Sequence, residues 1–142
     1  MNIKELQVMM AQDANIDETE LSHESLRTPS LYTKYANIRY DLEMQLAELY
    51  EEQNKTKLRL SDYYLGKADD EVYKEKPKKI KVLKTDVDTY IKGDDEYNQL
   101  FKRVRQAEAI LKQVEDFLKQ ISSRGFYIKN AIDYQKFQNG GY

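Results

Sequence analysis

The sequence predicts an all-α protein: long amphipathic helices joined by a polar basic loop, followed by a C-terminal helix with a heptad seam. Three observations carry this. Charged residues make up 34% of the 142-residue chain against only 5 Gly and 2 Pro, a composition that favours long helices over turn-rich sheet. Neither Gly nor Pro interrupts the stretch from Ser30 to Leu65. From Val104 to Ile132 apolar or small residues recur at alternating spacings of three and four (Val104, Ala107, Leu111, Val114, Leu118, Ile121, Gly125, Ile128, Ile132).

Taken in order, Ile3, Leu6, Met9 and Met10 predict a short amphipathic helix over residues 2–12, which packs on the body or docks on a partner. Asp17 with Glu20 three residues later has capping-box spacing and starts the next helix. At Thr28-Pro29 the chain either ends that helix and starts another, with Thr28 as cap and Pro29 in the first turn, or bends a single one. Leu42, Leu46, Leu49, Leu60 and Tyr64 form one helical stripe, with Gln53 and Thr56 in the intervening positions. The alternation Lys57-Leu58-Arg59-Leu60-Ser61 also fits a short strand, but the helical stripe continues through it.

Gly66 to Lys79 is polar, contains Pro77 and lacks periodicity, so a flexible loop is expected, anchored weakly by Ile80, Val82 and Leu83. Thr85 or Asp86 caps a short helix ending near Lys92-Gly93, and Asp94 caps the long one that follows. Gly125 either lies on the seam where helices approach closely or ends the helix, with a second one over Phe126 to Phe137. Asn139 to Tyr142 is expected to fray. Three segments result: 1–66, helical and ending in a basic, tyrosine-containing motif; 67–84, a flexible basic loop; and 85–142, helical and self-associating. Two long stripes in so short a chain satisfy each other only in part, leaving Tyr32, Tyr35, Ile38, Phe101, Phe117 and Phe126 wet. Self-association through Leu111, Val114, Leu118, Ile121, Gly125, Phe126, Ile128 and Ile132 is therefore expected. The competing arrangement is a compact monomeric bundle.

The formal net charge of −2 conceals a separation of charge. Asn54 to Lys84 holds 10 Lys and Arg against 5 acids, whereas residues 1–53 carry 4 bases and 11 acids. A basic stretch interleaved with Tyr63, Tyr64 and Tyr73 suits single-stranded nucleic acid, a polyanion with flat faces; a solvated lysine loop is the plain alternative. Lys57 and Arg59, with Lys78, Lys79, Lys81 and Lys84, would meet phosphate. Tyr64 sits on the apolar stripe, so Tyr63 is the better stacking face. About 200° of helical arc separates Lys57 from Arg59, so the two combine on one strand only across neighbouring subunits.

Nothing in the sequence suggests an enzyme, a metal or a cofactor. His23 is the lone histidine, Cys is absent, and the five glycines form no phosphate-binding fingerprint. No secretory signal is visible and no apolar run approaches the roughly 20 residues that span a bilayer, so a soluble intracellular protein is expected, without membrane contact.

Lys57-Leu58-Arg59-Leu60-Ser61-Asp62-Tyr63-Tyr64-Leu65-Gly66 resembles the Lys-x-Arg-Leu…Asp-Tyr-Tyr-x-Gly segment of the UvsY recombination mediators of T-even-type bacteriophages. Ser123-Arg124-Gly125-Phe126-Tyr127-Ile128-Lys129 resembles that family's Ser-Arg-Gly-Phe-x-Ile-Lys, with Asp133 and Phe137 following. Weaker echoes are Leu6-Gln7, Ile16-Asp17-x-Thr19-x-Leu21 and Leu31-Tyr32-x-Lys34, all in the same order. The resemblance implies a non-catalytic protein of the infected host's cytoplasm that binds single-stranded DNA as a ring-like homo-oligomer, a hexamer or heptamer forming a helical barrel. It implies partners too: a RecA-like recombinase of the UvsX type and the phage single-strand-binding protein that the recombinase replaces. It assigns DNA binding to Lys57 and Arg59 and oligomerisation to the segment around Ser123 to Phe137. Ser61 stands as an extra residue between Leu60 and Asp62, turning the basic pair by about 100° relative to the tyrosines. Residues 67–122 share only helical character, so the Lys74 to Lys84 cluster rests on charge alone. Outside this family, a coiled-coil scaffold or assembly chaperone, and an acidic DNA mimic using Glu43, Glu48, Glu51 and Glu52, fit the composition.

Overall fold

The computed structural model describes residues 2–140 and is all-α, with no strand among them. Six helices follow in order: α1 (Ile3–Ala14), α2 (Leu21–Tyr64), α3 (Asp70–Glu75), α4 (Val87–Lys92), α5 (Asp95–Ser122) and α6 (Arg124–Gln138). Two compact units divide them; one runs to Glu43 and resumes at Ala109, and the other is Met44–Glu108. Contacts in space therefore cut across the three linear segments drawn from the sequence.

In the first unit, α1 starts from a capping box that the sequence reading did not single out. Asn2 Oδ1 accepts from the Glu5 backbone N–H at 2.8 Å, and the Glu5 carboxylate accepts from Asn2 N–H at 3.3 Å. Leu6 and Met10 join Leu31 and Tyr35 of α2 and Ile110, Val114, Phe117, Leu118 and Ile121 of α5 in one buried cluster. Helix α1 thus docks on the body, and these two side chains are not offered to a partner. Tyr35 and Phe117, expected to stay wet, are buried edge to face at 4.7 Å; such a pair adds about 0.5–1.5 kcal/mol beyond its area. Tyr32, Phe101 and Phe126 do remain exposed.

Helix α2 begins at Leu21, not at Asp17. Asp17 Oδ1 instead accepts from the Thr19 N–H and hydroxyl at 2.9 and 2.6 Å, so the side chain closes a turn ahead of the helix. Pro29 lies inside the continuous 44-residue α2, and Thr28 is no cap. The turn preceding the proline is held from outside, because Arg124 Nη2 donates to the Glu24 carbonyl at 2.8 Å and to its carboxylate at 3.1 Å, while Nε donates to Thr28 Oγ1 at 3.0 Å.

The heptad seam does not run unbroken. Helix α5 ends at Ser122, where the Ser123 N–H is shared between the Lys119 and Gln120 carbonyls at 3.2 and 3.0 Å, a tightened last turn, and α6 restarts at Arg124. The break falls two residues before Gly125, which sits in the first turn of α6. A Cβ there would meet nothing within 4 Å, so no close helix approach explains this glycine within the subunit.

In the second unit, Leu46, Thr56, Leu60, Tyr63, Val82, Ile91, Leu100 and Val104 are buried. Helix α4 occupies its expected place between Asp86 and Gly93. Asp94 caps α5 as expected, its Oδ1 accepting from the Glu96 and Tyr97 N–H groups at 3.0 and 3.2 Å. Of the expected tail, Asn139 and Gly140 follow α6, and the last two residues lie outside the described range.

Candidate nucleic-acid interface

The second unit contains the whole Lys57 to Lys84 stretch. Thr56 and Leu60 point into the protein, and this leaves Lys57, Leu58 and Arg59 on the exposed side of α2. Arg59 is not free, since its guanidinium is paired with the Glu96 carboxylate near the start of α5. Both partners are more than half exposed, and pairs of this kind contribute about 0.2–1 kcal/mol. Arg59 also lines a hollow of about 400 Å³ with Lys55, Thr56 and the acids Glu48, Glu51 and Glu52, so its surroundings oppose an anion. The hydrogen bond and charge of Glu51 hold Lys55 above its ordinary pKa.

The tyrosines reverse the sequence expectation. Tyr63, taken as the free stacking face, is only 6% exposed; the Tyr73 ring stacks on it at 5.4 Å and the Lys76 ammonium lies 5.4 Å from its centroid. Its hydroxyl donates to the Lys76 carbonyl at 3.1 Å. Of the two tyrosines one turn beyond the buried Leu60, the fold covers Tyr63 at i+3 more fully than Tyr64 at i+4. Tyr64 is half-buried and donates to Asp94 Oδ2 at 2.6 Å; burial first, and then this carboxylate, push its phenol above the ordinary value.

The 67–84 stretch is held rather than loose. Gly66 takes φ +77°, and the Lys67 N–H bonds back to the Asp62 carbonyl at 2.8 Å while the Gly66 N–H bonds to Tyr63 at 3.2 Å, a Schellman end to α2. Two of the helix's last carbonyls find donors in the following segment: the Tyr73 hydroxyl on Tyr63 at 2.7 Å and Lys78 Nζ on Tyr64 at 2.8 Å. Lys78, expected to meet phosphate, therefore closes a helix end. Lys79, Lys81 and Lys84 are exposed, as are Ile80 and Leu83, while Val82 alone of the expected anchor is buried. Sequence reasoning missed Glu96 as the partner of Arg59, and it grouped Tyr73 with Tyr63 and Tyr64 without showing that Tyr73 covers Tyr63. The signal for Tyr73 was its place among the lysines; none marks Glu96, which lies 37 residues from Arg59.

The expected self-association seam is likewise corrected. Val114, Leu118, Ile121 and Ile128 are buried within their own subunit and Leu111 and Ile132 are partly so; the intramolecular core claims them first. Only Gly125 and Phe126 of that set are fully on the surface. Helix α6 instead exposes Phe126 (72%), Tyr127, Tyr134 and Phe137 (78%), which fall within about 100° of arc.

Among the described residues no helix is long and apolar enough to cross a membrane, and His23 is exposed. The T4 phage recombination protein uvsY is 26% identical over 141 residues, 99% of each chain. Crystal structures of the bacteriophage T4 recombination mediator protein UvsY superimpose with TM-scores of 0.84 and 0.82 in two lattices, at 23% identity. The first covers 98% of both chains, the second 94% of this chain and 98% of the other, so the all-α fold is shared along the chain. The family described as recombination, repair and ssDNA binding protein UvsY matches residues 9–141, and this chain belongs to it.

Proposed function

We propose that this protein is a recombination mediator without catalytic activity. It binds single-stranded DNA as a ring-like homo-oligomer of six or seven subunits and helps a RecA-like recombinase displace the phage single-strand-binding protein and nucleate its filament in the cytoplasm of the infected host. Family membership over residues 9–141 carries this reading, and the exposed Lys57 and Arg59 within the matching motif support it. Phosphate contact falls to Lys57, to Arg59 once released from Glu96, and to the exposed Lys79, Lys81 and Lys84. Residues 1–66 end in the binding motif, 67–84 supply the accessory lysines, and 85–142 carry assembly, in which the exposed aromatic face of α6 is the contact. Several weak sites on one ring act together, which gives firm binding that falls steeply with salt.

Fluorescence polarisation with labelled single-stranded and duplex oligonucleotides over a salt series tests this. A single-strand preference with a pronounced salt slope is expected, and Lys57→Ala with Arg59→Ala should weaken binding at low and moderate salt while leaving the assembly intact. Absence of any single-strand preference would favour the scaffold reading instead.

A further inference from the structure

The two kinds of group that the motif would take from a nucleic acid are both already present, supplied by the chain itself. A carboxylate, that of Glu96, holds Arg59 where a phosphate would sit. A flat ring, that of Tyr73, stacks on Tyr63 at 5.4 Å and 22°, an offset pair covering a face that a base would need. Tyr73 is fastened there by its hydroxyl, which donates to the Tyr63 carbonyl at 2.7 Å and accepts from the Ala68 N–H at 3.2 Å. The Lys76 ammonium lies 5.4 Å from the Tyr63 ring centroid and 3.9 Å from Asp94, so it too is engaged.

We infer that Glu96 and Tyr73 are internal stand-ins for phosphate and base, and that single-stranded DNA binds by displacing both, releasing the 67–77 segment from α2. This rests on the DNA-binding reading above. Its physical basis is competition. A phosphate approaching Arg59 competes with Glu96 for the Nη2 N–H and is repelled by that carboxylate, and the ring face covered by Tyr73 has no room for a base. The fastening is weak enough to open, because the Arg59–Glu96 pair is exposed to solvent and α3 has no buried residue. Glu96 is thus a positioning residue: it sets how readily Arg59 meets a phosphate without touching the strand.

The test is a double-mutant cycle with labelled oligothymidine, combined with hydrogen exchange on the unmodified protein. Glu96→Gln should tighten binding by about two- to five-fold, the range an exposed ion pair allows, and should do so only while Arg59 is present. In the Arg59→Ala background the same change should have no effect. On addition of oligothymidine to the wild-type protein, amide exchange across residues 67–77, the Ala68 amide included, should speed up. If Glu96→Gln tightens binding equally without Arg59, simple loss of negative charge explains it and the stand-in idea fails. Unchanged or slowed exchange across 67–77 in the bound protein also overturns it, with the DNA-binding reading left standing. Failure of the wild-type protein to bind oligothymidine at all defeats that reading and this inference together.

Discussion

Replacing Arg124 by Ala is expected to lower the unfolding free energy by about 3 kcal/mol. The side chain is 4% exposed and Glu24 is 5% exposed, so the pair lies inside the first unit, with three hydrogen bonds of 2.8 to 3.1 Å to Glu24 and Thr28. Breaking a buried pair by removing one partner costs about 3–5 kcal/mol, because the other charge is left without compensation. Two features place Arg124→Ala at the low end. Glu24 keeps Arg27 Nε at 2.9 Å and the Asp17 N–H at 2.8 Å, and the lost guanidinium includes Nη1, a buried donor with no partner. Urea unfolding followed by far-UV circular dichroism at several protein concentrations separates this loss from any contribution of assembly. A loss below about 1 kcal/mol would refute the account of Arg124 as the fastening between α6 and the Pro29 turn. Acid gives an independent reading of the same site. The Asp17 N–H foremost, against the opposing effect of burial, with Arg27 and Arg124 adding, holds Glu24 down to about 2 from its ordinary 4.5. A carboxylate lowered on folding stabilises fully above its unfolded value, so this contribution is present above about pH 4.5 and is lost as pH falls towards 2. Glu24→Gln should flatten the stability profile across that window.

Other expectations follow from the same packing. Leu118→Ala should cost about 2–4 kcal/mol regardless of protein concentration, because the side chain lies in the subunit's own core; a loss seen only as weaker self-association in sedimentation would contradict its burial. Asp94→Ala removes the α5 cap and the acceptor of Tyr64, and should lower stability by about 1–2 kcal/mol in thermal or urea unfolding; no change would mean water replaces it fully. Phe126→Ala with Phe137→Ala should reduce the assembled fraction in sedimentation without loss of helix content, and unaltered assembly would remove the α6 face from the interface. Lys57→Ala with Arg59→Ala should weaken single-strand binding, read by polarisation, at unchanged particle size.

Much of this protein is written in local sequence. Scarce Gly and Pro, the helical stripe from Leu42 to Leu60 and the Asp94 cap each act through neighbours a few residues away, and each reappears where local rules put it. The motif residues that identify the family are also local, as is their charge. What tertiary structure decided is which partners those residues meet. Whether Val114 and Leu118 face another copy or their own α1 and α2, whether Tyr63 is bare or lies under Tyr73, and whether Arg59 waits for a phosphate or already holds Glu96 depend on competition between surfaces far apart in the chain. Helical periodicity says that a side chain must be covered and is silent about what covers it. An apolar seam or a guanidinium takes the first complementary group the fold delivers, and a group within the same chain arrives at a far higher effective concentration than any partner in solution.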